Sequence, residues 1–218
     1  MRLYLSSFRV GSRPDLLVEL VRRAAGPPTV AVIANACDIG DPDGRAEAVG
    51  LEVEALRELG LEPREVDLRD YDAAGRTLER DLASIAGLWV RGGNAFALRF
   101  AMATSGADRL IPRLLGDDAL VYAGYSAGPC VLAPSLRGLE LCDRPEDVLA
   151  AHGVAPLWDG LGVIDRPFVP HLDSPGHPET ELVARVAELY RSERRPYWGL
   201  RDGQVLVVDG DLGDAVLV

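Results

Sequence analysis

Short apolar runs alternate with amphipathic stretches along this chain, and the alternation sets the expected fold. Arg2 to Ser6 reads as a strand. Arg13 to Ala25 follows with Leu16, Leu17, Leu20 and Val21 at helical spacing. Thr29 to Ala34, rich in β-branched residues, is a second strand, and Glu47 to Leu59 a helix stopped by Gly60. A short strand is expected at Glu65 to Leu68, a helix at Thr77 to Ile85 and a strand at Leu88 to Val90. Helices at Ala95 to Ala103 and Ala107 to Leu115 precede a strand at Ala119 to Ala123 and a helix at Ala127 to Leu132. This β-α alternation predicts a mainly parallel sheet between helical layers, a three-layer α/β/α sandwich. Ligands of such sheets bind at the carboxyl ends of the strands.

Beyond Ala133 the pattern loosens. Pro134 to Val169 reads as loop, Glu179 to Arg191 as a helix. Tyr197 to Leu200 and Gln204 to Val208 read as strands joined by a turn at Arg201-Asp202-Gly203, with Val216 to Val218 closing the sheet. No repeat or linker interrupts the chain, so residues 1–218 are expected to form one domain.

Bulk properties narrow the partners. The net charge of −11 argues against nucleic acid or an anionic membrane surface, which need a basic face. Three widely spaced cysteines, Cys37, Cys130 and Cys142, suggest neither a disulfide framework nor a metal site, and fit a cytoplasmic protein. No apolar run is long enough to cross a bilayer, and the start is too soon interrupted to be a signal peptide.

Candidate chemistry gathers at two glycine turns. Gly124-Tyr125-Ser126-Ala127-Gly128 lies between a strand and a helix. There a serine is held in a sharp turn at a helix N-terminus, with small residues either side to avoid clashes. Ser126 is the candidate nucleophile. Acyl transfer also needs donors for the oxyanion, and Ala127 N–H is one candidate. The second comes from Arg91-Gly92-Gly93-Asn94, where glycine lets the backbone approach a ligand closely.

A serine needs a base, and only His152, His171 and His177 exist. His171, after the apolar run Phe168-Val169-Pro170, ranks first; His177 sits in a Pro-Gly-rich loop and His152 at a helix end. For the carboxylate that orients the base, Asp143, Asp173 and Asp202 are open by position.

In their order and spacing, Gly92-Gly93-Asn94-Ala95-Phe96, Gly124-Tyr125-Ser126-Ala127-Gly128 and Pro170-His171 resemble the peptidase E (aspartyl dipeptidase) family of serine peptidases, with its class I glutamine amidotransferase-like fold. The resemblance spans most of the chain. It implies a cofactor-free serine exopeptidase acting on dipeptides or other short peptides, with Ser126 as nucleophile, His171 as base, and Gly93 and Ala127 at the oxyanion. Two positions match for the acid: Asp202, where relatives carry Glu before Gly, and Asp143. Asp202 is preferred. Arg91, where relatives have a third glycine, and Asn94 are candidate substrate contacts. Arg137 and Arg166 are further candidates for a substrate carboxylate. The implied partner is a short peptide, and a homodimer is allowed. Carboxypeptidase-type trimming by the same residues, or a non-catalytic binding module, are the alternatives.

Overall fold

Most of the expected strands form, and seven strands line up in one main sheet beside a separate two-stranded one. The computed structural model of the protein describes residues 1–24 and 26–218. In chain order the elements are β1 (Arg2–Ser6), α1 (Pro14–Arg22), β2 (Thr29–Ile33), α2 (Pro42–Glu58), β3 (Glu62–Glu65), α3 (Arg76–Leu82), β4 (Gly87–Val90), α4 (Ala95–Ser105), α5 (Ala107–Gly116), β5 (Val121–Tyr125) and α6 (Ala127–Cys130). Then come α7 (Glu146–His152), β6 (Phe168–Val169), α8 (Thr180–Ser192), β7 (Trp198–Gly199), β8 (Val205–Asp209) and β9 (Val216–Leu217). Ala25, the predicted end of the first helix, lies outside the described residues.

The main sheet has the order β3-β2-β4-β5-β1-β8-β9. Its first five strands run parallel, and β8 and β9 add antiparallel at one edge. Strand periodicity sends alternate side chains to opposite faces. Leu3, Leu5, Ala31, Ile33, Leu88 and Val90 enter one hydrophobic cluster, and Tyr4, Val30, Val32, Trp89, Val121 and Ala123 the other. Helices cover both faces, which is why the central strands read as continuous apolar runs.

Several local expectations need correction. The strand placed at Glu65 to Leu68 is instead Glu62–Glu65, pairing with β2 from Thr29 opposite Glu62. Pro63 hides it in the sequence, yet proline is tolerated on an edge strand. Leu68–Asp70 forms a 3-10 turn, opened by Asp67 accepting from Arg69 N–H. Helix α2 begins five residues early, because Asp41 caps it by accepting from Gly44 N–H and Pro42 takes the first turn. The stretch read as loop holds α7 and a 3-10 turn at Leu139–Leu141. The helix after Ser126 is a single turn.

The C-terminal correction matters most. The two strands flanking Arg201-Asp202-Gly203 do not pair with each other. β7 pairs in parallel with β6 in a separate two-stranded sheet, and β8 pairs with β1. Because β6 and β7 run in the same direction, their carboxyl ends place His171 and Asp202 side by side.

Candidate active site

The site sits where β4, β5 and β1 end. Ser126 has φ 54° and ψ −113°, a conformation an L residue holds only under constraint. The constraint is packing. A Cβ on Gly124 would lie 2.3 Å from the Val90 carbonyl oxygen, and one on Gly128 2.4 Å from the same atom. Both glycines let the turn press onto the end of β4. Buried Tyr122 pins it by donating from its hydroxyl to Gly128 O at 2.7 Å. The Ser126 hydroxyl makes no hydrogen bond among the described residues and opens into a cleft of about 200 Å³.

The glycine loop after β4 closes one side of that cleft. Gly93 has φ 144°, and a Cβ there would come within 2.6 Å of Ala36 O. Arg91 N–H is used by Ile33 O and Asn94 N–H by Ala36 O. The N–H groups of Gly92, Gly93 and Ala127 have no backbone partner among the described residues, which leaves them as donors for an oxyanion.

His171 is buried and also has positive φ, 59°. Two bonds hold it: its N–H donates to Ser7 Oγ at 2.8 Å, and Thr180 Oγ1 donates to its carbonyl at 2.9 Å. Its Nδ1 lies 2.7 Å from Asp202 Oδ1. Ser7 Oγ donates to the same carboxylate oxygen at 2.9 Å, and Asp202 N–H donates to Ser174 Oγ at 2.8 Å. With Nδ1–H given to Asp202, Nε2 keeps its lone pair. Burial lowers the His171 pKa, with a further lowering from His177 and partial compensation from Asp202. The net effect favours the neutral ring.

Of the candidate acids, the structure brings Asp202 to His171. Asp143 accepts from Ala95 N–H at 2.8 Å, at the start of α4, and burial pushes its carboxyl up to about 7. Asp173 is exposed, with Arg201 3.5 Å away. His152 ends α7 and stacks on Phe100, while His177 stacks on His171, centroids 3.6 Å apart and planes 4° apart.

Among the candidate substrate contacts, Asn94 is a helix cap. Its Oδ1 accepts from Phe96 and Ala97 N–H, and its Nδ2 donates to Arg144 O. Arg91 lines the cleft but is tethered. Its guanidinium lies 3.3 Å from buried Glu52 and donates to Gly92 O and Cys37 Sγ. Arg137 covers Trp158, and Arg166 pairs with Asp165 over Trp198, so both are engaged away from the cleft lining. The cleft also contains His177, the second-ranked base, and Phe8, Arg9 and Glu179, which the sequence did not single out. Phe8 and Arg9 follow β1, and the rule that ligands sit at parallel strand ends pointed there.

Residues 9–216 match peptidase family S51. The chain belongs to this family. The S51 match makes it a peptidase of the peptidase E type. A search of curated proteins finds no match. Among solved structures, one named "Putative Peptidase E Protein" from Listeria monocytogenes EGD-e is 22% identical, with a TM-score of 0.79, covering 100% of this chain and 97% of its own. A peptidase from an acI-B1 Actinobacterium is 16% identical with a TM-score of 0.71, covering 100% and 86%. These two likenesses establish the fold.

Proposed function

We propose that this S51 member is a cytosolic serine exopeptidase that hydrolyses dipeptides and other short peptides through Ser126, His171 and Asp202. The observation that carries the reading is the 2.7 Å contact of His171 with Asp202 at the wall of the cleft into which Ser126 opens. Ser126 Oγ attacks the scissile carbonyl while His171 Nε2 takes its proton. Asp202 holds the ring in the tautomer that leaves Nε2 free and stabilises the imidazolium that forms. Gly93 and Ala127 N–H receive the developing oxyanion. The imidazolium then protonates the leaving amine, and water, activated by the same base, releases the acyl group.

Substrate size follows from the lining. The cleft holds two charged side chains with no ion-pair partner among the described residues, Arg9 and Glu179. They suit the carboxylate and ammonium of a short zwitterionic peptide, as Arg91 is already neutralised by Glu52. Three free cysteines support a reducing compartment. Ser126→Ala should abolish hydrolysis of Asp-X and other short peptides while leaving the circular dichroism spectrum and melting temperature in place. Turnover retained by that variant overturns the reading.

A further inference from the structure

One cluster in the cleft does more than the reaction above requires. His171, His177 and Glu179 each offer a ligand atom, and these atoms lie within 4.8 Å of one another. We propose that the three residues form a binding site for one divalent transition-metal ion of the zinc class, placed so that the ion occupies the His171 lone pair. Binding itself is independent of any catalytic role; only its inhibitory consequence rests on His171 acting as the base.

The chemistry fits residue by residue. Tetrahedral zinc with bonds of about 2.0–2.1 Å keeps its ligand atoms about 3.3 Å apart, so the cluster needs only a small closure. Asp202 on His171 Nδ1 leaves Nε2 as the free ligand, the carboxylate–histidine–metal arrangement that orients and strengthens an imidazole donor. Glu179 makes no side-chain hydrogen bond or ion pair among the described residues, although it faces the cleft.

His177 must adjust. Parallel rings 3.6 Å apart do not aim two lone pairs at one point. The restraints on its ring are weak: a long 3.2 Å bond from Glu179 N–H to Nδ1, and an edge contact with Phe8. It is half-buried, between exposed Gly176 and Pro178. A tilt of the ring releases the 3.2 Å bond and turns a nitrogen toward the other two ligands. Two imidazoles and one carboxylate favour zinc, copper or nickel over magnesium or calcium, which prefer oxygen ligands.

The test is calorimetric titration of the full chain with zinc chloride at neutral pH, beside magnesium chloride. One zinc ion per chain is expected, with no magnesium binding. His177→Ala and Glu179→Gln should each weaken zinc binding by about 10-fold or more. Cobalt(II) in place of zinc should give the visible absorption of a four-coordinate site, lost in His177→Ala. No zinc binding, or binding equally tight in both variants, overturns the site. A fluorophosphonate probe separates the second half. Zinc should slow labelling of Ser126 in the wild type, reversibly with a chelator, and should do so far less in His177→Ala. Site-specific zinc binding with unchanged labelling refutes the blocking of His171. Absence of labelling in metal-free protein would instead count against the serine mechanism, and the calorimetric result would then decide the metal site by itself.

Discussion

Replacing Asp202 by Asn tests the architecture of the base with little change in shape. In the structure one short bond, 2.7 Å from His171 Nδ1 to Asp202 Oδ1, fixes which ring nitrogen carries the proton. An Asn amide turned to donate would stabilise the opposite tautomer and place the proton on Nε2, which could then no longer accept a proton from the nucleophile. Turned to accept, it would keep the tautomer but remove the anion that stabilises the imidazolium. The comparable change in a serine protease triad lowers kcat about 10⁴-fold, or about 5 kcal/mol at 1.36 kcal/mol per tenfold. A loss of that order in kcat is expected here, with KM little altered. The pH profile should move too. Asp202 is an influence that holds the His171 pKa up against burial and His177. Without its charge the acid limb should shift to lower pH. Peptide turnover across pH, with a melting curve as control, reads both effects. Activity within about 10-fold of wild type, or an acid limb that moves upward, refutes the reasoning.

Three further outcomes follow from the packing. Gly124→Ala would put a methyl 2.3 Å from Val90 O, costing about 3 kcal/mol, or roughly 6–12 °C in melting temperature, whereas Gly50→Ala, with open space inside α2, should stabilise by about 0.5–1 kcal/mol. Equal melting temperatures for the two variants would contradict the account of the turn. Glu52 is buried and accepts from Trp89 Nε1 and Tyr125 OH, both at 2.7 Å, beside Arg91. Glu52→Ala strands all three and should cost about 3–5 kcal/mol in urea unfolding. Asp143, raised to about 7 by burial, keeps in the folded state a proton the unfolded chain releases near its ordinary 3.8. Stability therefore falls as pH rises from about 4 to 7, by up to roughly 4 kcal/mol, and Asp143→Asn should remove that slope while still accepting from Ala95 N–H.

The parts of the site that were legible in sequence are those where one residue must satisfy strong local rules. Gly124 and Gly128 flank Ser126 because both face the same carbonyl, so the turn prints itself as a pattern. The central strands were legible because burial on both faces makes them uniformly apolar. His171 and Asp202 came from ranking alternatives, since their meeting depends on β6 and β7 pairing in parallel, a contact between very short strands far apart in the chain. The expectation of a strand turn at Asp202 missed that pairing. Ser7, Phe8 and Arg9 carried only the signal of following β1; their roles emerge once β1 pairs with β5 and Ser7 meets Asp202. His177 ranked behind His171 because its loop reads as solvent-exposed, and only the fold stacks the two rings.

The most direct test of the central claim is where a fluorophosphonate probe attaches on the metal-free chain. Mass spectrometry of the labelled protein should find one adduct per chain, on Ser126, absent in Ser126→Ala and formed far more slowly in Asp202→Asn. An adduct elsewhere, or none on a chain that still cleaves peptides, would contradict Ser126 as the nucleophile.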